Sequence, residues 1–339
     1  MFLLGLVMDL RPLVSILSDG GFHSGQALSV KLGVTRTLVV RQVEQLREMG
    51  IEVHSVTGKG YRLPYVLELI AKDDVLAQLG DSEPYWKTGF DVLFSTGSTN
   101  ADAMAKGQAG ASRYLCIAEH QSAGKGRRGK AWVSPLGANI SLSMLWTFEA
   151  GMAALEGLSL VVAILVVDAL KSCGYKGMGV KWPNDILLDA SKLAGILIEI
   201  NGDAAGPCKV VIGIGINVRM PASSAESIDQ RYTDLASNSE TIPDRNRIAA
   251  SLVLSLQAGL AEFASSGFAA FQQRWNAVDV YKGRVVDIVS GTNRQRGVSL
   301  GVNGSAALLL QTDSGVLRIS GGEITPSLRP VFEEGGVNA

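Results

Sequence analysis

The chain has only three cysteines in its 339 residues, Cys116, Cys173 and Cys208, far apart and outside any C-x-x-C or Cys/His spacing. A disulfide framework and a zinc site of the usual ligand pattern are excluded, and a reducing, cytoplasmic setting is the expectation. A surplus of charge is missing too: 31 Lys+Arg against 32 Asp+Glu leave a formal net charge of -1. Whole-chain charge therefore carries no nucleic-acid signal, and any basic surface must be local. The longest apolar stretch, residues 158–170, contains Ser159 and Asp168. It falls short of the about 20 apolar residues a bilayer requires, so it reads as a core helix and no membrane association is expected. The first eight residues lack the basic n-region and small-residue cleavage site of a secretory signal, and Met8 is an expected alternative start.

What is present is ample core material. Hydrophobic residues make up 47% of the chain, and at roughly 100 to 200 residues per domain the length predicts two or three domains. The spacing predicts three short helices and a hairpin over residues 9–64. Ser24 caps a helix through Leu32, Gly33 breaks it, and Thr35 caps a third helix that runs to Met49 and stops at Gly50. Two helices joined by a short glycine turn make a helix-turn-helix. In the third helix Val39, Val43 and Leu46 share one face, leaving Arg36, Thr37 and Arg41 outward at the end that enters a major groove. Strand-like runs over 51–55 and 61–63 flank Thr57-Gly58-Lys59-Gly60, giving a winged helix with Lys59 in its wing. Thr35, Arg36, Thr37, Arg41 and Lys59 are the expected DNA contacts. The competing reading is a small helical domain that packs against protein. The basic bias is slight: Arg11, Lys31, Arg36, Arg41, Arg47, Lys59 and Arg62 stand against Asp9, Asp19, Glu44, Glu48 and Glu52.

Residues 66–277 alternate strand-like and helical runs, which implies a sheet covered by helices. Connections such as Pro183-Asn184-Asp185 are too short for a parallel crossover, so the expected sheet is mixed or mostly antiparallel rather than doubly wound. Over 278–330 short strands are punctuated by Ser290-Gly291, Asn303-Gly304 and Asp313-Ser314-Gly315, and a small β-barrel is expected. The fold class is α+β. A polar stretch over 222–240 reads as a mobile loop able to order over a bound ligand.

The most informative segment is Gly124-Lys125-Gly126-Arg127-Arg128-Gly129-Lys130, whose glycines let backbone approach an anion and whose cations surround it. It matches G-x-G-x-x-G and most of a Walker A pattern, but Ala131 stands where magnesium needs Ser or Thr, and Trp132-Val133-Ser134-Pro135 cannot open a helix. Loop amides and side-chain cations must therefore grip phosphate directly. An exposed basic hairpin for nucleic acid is the rival reading. No Ser/His/Asp or Cys/His nucleophile set is apparent.

At this loop the sequence resembles the biotin protein ligases, specifically the bifunctional type that also represses the biotin operon. Besides the loop and Trp132, the resemblance rests on Ser98-Thr99-Asn100, Ala118-Glu119-His120-Gln121-Ser122-Ala123, Lys181-Trp182-Pro183-Asn184-Asp185, Lys192-Leu193-Ala194-Gly195-Ile196-Leu197, Gly213-Ile214-Gly215-Ile216-Asn217 and Gly321-Gly322-Glu323-Ile324. It covers nearly the whole chain and implies a central sheet like that of class II synthetases and an SH3-like C-terminal barrel. Lys125, Lys130 and Ala131 depart from the family's more arginine-rich form, which bears on how tightly an adenylate is held.

The resemblance implies a two-step reaction in which biotin carboxylate and ATP give biotinoyl-adenylate, from which a lysine of a carrier protein takes the acyl group. Ser98, Thr99, Asn100, Gln121, Lys125, Gly126, Arg127 and Lys192 are the implied biotin residues. For Ser98 to Asn100 the competing role is helix capping. Arg128, Lys130, Trp132, Asn184, Asp185 and Asn217 are the implied ATP and adenylate residues. Lys192, Arg127 and Lys181 are the catalytic candidates, and Asp185 is the candidate ligand for Mg2+ carried by ATP. The rival for Asn184 and Asp185 is ordinary turn chemistry. Implied partners are the biotin carboxyl carrier protein of acetyl-CoA carboxylase, operator DNA, and a second copy of the chain when adenylate is bound, with biotin serving as substrate and corepressor precursor. Two alternatives stay open: a lipoate or octanoate ligase, whose acyl tail needs no ureido partners, and a non-catalytic biotin-sensing transcription factor.

Overall fold

A computed structural model of the chain describes residues 9–80, 85–202, 206–290, 293–320 and 327–330. The N-terminal part contains α1 (Arg11–Leu17), α2 (Gly25–Leu32), α3 (Arg36–Glu48) and the wing strands β1 (His54–Val56) and β2 (Gly60–Arg62). The caps are those the sequence names. Ser24 Oγ accepts from Ala27 N and Thr35 Oγ1 from Leu38 N, while Gly33 closes α2 in the left-handed region at φ 65°. The first wing strand lies a little later than expected and the second one residue earlier, and the hairpin is stapled to the turn before α2. His23 and Tyr61 exchange backbone hydrogen bonds of 2.8 and 2.9 Å. Gly60 makes this possible, because at φ +102° a Cβ there would sit 2.1 Å from His23 O. The core of this region joins Leu13, Val14, Leu17, Leu28, Val39, Val43, Leu46 and Leu63 with Leu136 from further along the chain.

Seven strands form the central sheet: β3 (Phe90–Leu93), β4 (Arg113–Ala118), β5 (Asn139–Phe148), β6 (Met178–Lys181), β7 (Asp185–Leu188), β8 (Ser191–Gly202) and β9 (Cys208–Asn217), in the order β3-β4-β5-β9-β8-β7-β6. β3 and β4 pair in parallel, whereas β6, β7 and β8 are antiparallel, so the sheet is mixed as expected. The chain packs as two units, residues 1–144 with 213–249 and residues 145–212 with 250–339.

In the first unit, α4 (Lys72–Leu79) and α5 (Tyr85–Thr88) precede the sheet and α6 (Thr99–Gln108) supplies the crossover that a parallel β3/β4 pair requires. A buried ion pair anchors this unit. Arg245 Nη1 lies 2.6 Å from Glu119 Oε2, the two side chains being 5% and 2% exposed. Arg245 also donates to the Glu68 carbonyl and Glu119 accepts from Ile70 N, so the pair fixes the segment that follows the wing.

The second unit holds α7 (Leu158–Ser172), most of α8 (Arg245–Ser266), α9 (Gln272–Val278) and five antiparallel strands, β10 (Val285–Ser290), β11 (Asn293–Val302), β12 (Leu308–Thr312), β13 (Gly315–Ile319) and β14 (Ser327–Pro330), in the order β13-β12-β11-β10-β14. Alternation turns Val286, Ile288, Leu308 and Leu310 into its core. The Gly321 to Ile324 motif lies outside the described residues. The expectation that the stretch around 158–170 is too short for a bilayer needs correction. With the preceding 3-10 turn it reaches 21 residues, Met152–Ser172, and both it and Arg245–Ser266 are long and apolar enough to cross a membrane. Burial is what marks the first as a core helix: 67% of its apolar window is inside the protein.

Candidate functional site

In the first unit, α6 starts where β3 ends, and its opening residues carry a polar network. Thr99 donates from both its backbone N (2.9 Å) and Oγ1 (3.1 Å) to Gln121 Oε1. Ser143, on β5, donates to Thr99 Oγ1 at 2.7 Å and is 2.6 Å from Asn100 Oδ1. Ser98 is the N-cap residue of α6, yet its side chain makes no capping hydrogen bond. The capping reading therefore does not account for it. Ser98, Thr99 and Asn100 are all under 9% exposed, and a buried polar set of this kind matches a ligand with several donors and acceptors.

The glycines of Gly213-Ile214-Gly215-Ile216-Asn217 explain how Asn100 and Trp132 lie here. A Cβ on Gly213 would stand 2.1 Å from Asn100 Oδ1, and one on Gly215 would stand 2.4 Å from the Trp132 ring. Alternate positions of β9 thus present bare backbone on which those two side chains rest, with Asn217 next on the same face. Asn217 is buried and donates from Nδ2 to Thr233 O (3.0 Å). This ties it to the segment 222–240, which contains two short 3-10 turns and a buried Asp234 accepting from Met220 N and Ser237 N.

The basic loop is a hairpin closed by Gly126 N donating to Lys130 O (2.7 Å) and Trp132 N donating to Gly124 O (2.9 Å). No helix starts there, as expected; a single 3-10 turn, Arg127–Gly129, holds Arg128 in the left-handed region at φ 57°. Such a conformation is uncommon for a residue other than glycine and recurs at ligand-binding loops. Arg127 is half-buried, whereas Lys125, Arg128 and Lys130 are exposed. Lys130 Nζ reaches only to 4.0 Å from Asp229. His120, whose ionised form burial disfavours so that its pKa lies below the usual value, pins the neighbouring loop through Nδ1 at 2.8 Å from Ser95 Oγ.

In the second unit, Lys192 Nζ lies 2.9 Å from Asp185 Oδ1, both side chains less than one-fifth exposed. A bulge between Ile186 and Leu187 in the β7/β8 pairing sets this diagonal contact. Asn184 is used by the fold, donating from Nδ2 to Ile196 O (2.9 Å) and accepting from Ile196 N (3.2 Å). Lys181 ends β6, beside an isolated parallel bridge between Val180 and Asp279. Sequence reasoning missed Ser143 and Asp279. The alternation of Ser141 and Ser143 with apolar neighbours along β5 was a usable signal for the first. Asp279 gave none.

The outward face of α3 carries Arg36, Thr37 and Arg41, all exposed, while Thr35 serves as the cap. In the wing, Lys59 Nζ and the Arg62 guanidinium stand 5.6 and 5.0 Å from the centre of the Phe22 ring, which holds both cations beside α2.

A buried polar set, a basic glycine loop and an N-terminal winged helix define a protein that handles a polar ligand and an anion and carries a helix-turn-helix. The profile of the biotin/lipoate A/B protein ligase family matches residues 93–217, and that of a helix-turn-helix domain matches residues 10–62. The chain is similar to the bifunctional ligase/repressor BirA of Salmonella typhimurium, 38% identical over 313 residues, which cover 92% of this chain and 96% of that one. It is also similar to the BirA of Bacillus subtilis, 29% identical over 93% of this chain and 97% of that one. Among solved structures, the biotin protein ligase of Aquifex aeolicus in complex with biotin and ATP superposes with a TM-score of 0.62 at 26% identity, covering 72% of this chain and all of that one. The chain belongs to the biotin/lipoate A/B protein ligase family.

Proposed function

We propose that the chain is an ATP-dependent biotin protein ligase that also represses transcription in response to biotin. The observation that carries the biotin assignment is the network of buried Ser143, Thr99 and Asn100 with half-buried Gln121, and Ser98 beside it. A ureido group needs matched donors and acceptors, whereas the tail of lipoate needs none.

In the first step a carboxylate oxygen of biotin attacks the α-phosphorus of ATP and pyrophosphate leaves. In the second the amine of a carrier lysine attacks the acyl carbon and AMP leaves. The nucleophiles belong to the substrates, so the protein supplies position and charge. Lys192 neutralises the biotin carboxylate and then the adenylate phosphate; until substrate arrives Asp185 holds it in place. Lys125, Gly126 and Arg127 lie along biotin and its carboxylate, and Arg128 and Lys130 take phosphate. Trp132 covers the adenylate, and Lys181, Asn184 and Asn217 serve the nucleotide side. Among the described residues no group of three or more His, Cys, Asp or Glu is arranged to hold a metal. Mg2+ carried on the phosphates of ATP would take Asp185 as its protein carboxylate, adding positive charge beside the phosphates.

The three domains are a winged helix over 9–64, a catalytic domain over 66–277 and an SH3-like barrel over 278–330. Thr35, Arg36, Thr37, Arg41 and Lys59 contact operator DNA, bound by an adenylate-loaded homodimer in the cytoplasm. The biotin carboxyl carrier protein of acetyl-CoA carboxylase is the acyl acceptor. The test is exchange of labelled pyrophosphate into ATP with biotin or lipoate. Biotin-dependent exchange that falls at least a hundredfold in Lys192→Ala, with thermal unfolding little changed, is expected. Exchange with lipoate alone would move the activity to lipoate ligation, and exchange with neither would leave a sensor without catalysis.

A further inference from the structure

We propose that Val40 reads a thymine methyl group in the major groove of the DNA that this protein binds, an inference that rests on the DNA-binding reading above. The inner face of α3 is Val39, Gln42, Val43 and Leu46, all buried. The opposite stripe, at helical spacing, is Arg36, Thr37, Val40, Arg41 and Glu44. Val40 sits at its centre and is 46% exposed. Exposure alone carries nothing, since Val30 on α2 is 71% exposed, and single apolar residues at a surface are common. The setting of Val40 is what distinguishes it. A β-branched residue at an exposed mid-helix position costs helix stability relative to alanine or a straight polar side chain, and here it recovers little by burial. Folding of α3 does not explain the choice.

Its neighbours define what fits against it. Arg36 lies one turn before and Arg41 alongside, so the stripe attracts a polyanion. The carboxylate of Glu44, one turn after, is occupied by Arg47 Nη1 at 2.7 Å. Arg47 in turn donates to Val53 O and to Ser55 Oγ, locking the far end of the stripe to the wing. Lys59 and Arg62, held on Phe22, add cations at the wing. The occupant is therefore a polyanion with an apolar feature facing the centre of a helix. In the major groove the thymine C5-methyl is the apolar group on a base edge, and Thr37, one turn before Val40, adds a second methyl toward it.

The experiment selects duplexes from a random-sequence library with the full chain in the presence of biotin, ATP and magnesium. Each thymine of the selected duplex is then replaced singly by deoxyuridine, which lacks only the methyl. For the wild type, one or more positions in each half-site should lose about fourfold in affinity, the equivalent of the ~0.8 kcal/mol carried by one buried methyl group. In Val40→Ala, which removes the apolar side chain and favours the helix, thymine and deoxyuridine should bind alike at those positions. A flat scan in the wild type, or a penalty undiminished in Val40→Ala, would overturn the role of Val40 while leaving DNA binding intact. Selection of no sequence at all would overturn the DNA-binding reading together with it.

Discussion

Around Thr99, in the first unit, buried polar groups answer one another: Gln121 Oε1 takes two hydrogen bonds and Ser143 Oγ sits within 2.7 Å of two oxygens. Around Asp279, in the second unit, they do not. Its Oδ1 accepts from Tyr281 N at 2.9 Å, but Oδ2 is buried without a hydrogen-bond partner. A satisfied network contributes shape at little net energy, because each hydrogen bond replaces one to water. A buried carboxylate with an unmatched oxygen is a standing cost. The first kind of region breaks when geometry is disturbed, and the second improves when its charge is removed.

Gly213→Ala tests the first half of that contrast and should have the largest effect. Its Cβ would collide with Asn100 Oδ1 at 2.1 Å, and neither β9 nor the start of α6 can move away without disturbing the Thr99 and Gln121 hydrogen bonds. A displacement of about 1 Å at a reacting group costs on the order of a hundredfold, and overpacking adds ~1 to 3 kcal/mol. Biotin-dependent pyrophosphate exchange should fall about a thousandfold in kcat/KM. A loss under tenfold would show that the network tolerates rearrangement.

Asp279→Asn tests the other half. Burial pushes the carboxyl up from its ordinary value of 3.8 to about 6. A pKa raised on folding favours the folded state below pH 3.8, where the group is protonated both folded and unfolded, and that advantage is lost as pH rises through about 6. Asparagine keeps the acceptor for Tyr281 N and removes the charge. The variant should be more stable than wild type by about 2 to 3 kcal/mol at pH 8, with the difference vanishing below pH 4; denaturant unfolding at the two pH values measures it. A constant difference at both would mean that shape, not charge, is the cost.

What the sequence made legible follows the same divide. The helix starts and stops of the winged helix could be read because Ser24, Gly33, Thr35 and Gly50 act on residues within a turn of themselves, and each does so in the fold. The bounds of the wing strands are not legible in the same way, because alternation over 51–55 and 61–63 does not reveal that His23, far back in the chain, pairs with Tyr61. Ser98, Thr99, Asn100 and Gln121 were named, but which of them touch one another depends on Ser143, 44 residues beyond Thr99. Arg245 meets Glu119 across 126 residues, and no local pattern encodes such a pairing. For the same reason the fold's own use of Asn184 and Asn217 was hidden: their partners, Ile196 and Thr233, are set by strand register and by how a distant segment returns.

Lys130 provides the smallest effect and a control for the contrast, since it belongs to neither kind of buried region. It is exposed, and its nearest carboxylate, Asp229, lies at the 4.0 Å limit and is itself largely in solvent. An ion pair of that kind contributes less than about 0.5 kcal/mol to stability, so Lys130→Ala should unfold at the same temperature as wild type. Its charge matters only when phosphate is present. The KM for ATP should rise about threefold at low ionic strength, and the rise should disappear near 0.5 M salt, where screening acts over roughly 4 to 5 Å. A salt-independent rise would instead mean that Lys130 makes a direct, desolvated contact with phosphate and that the hairpin closes over the nucleotide. That result would move the loop to the buried side of the comparison.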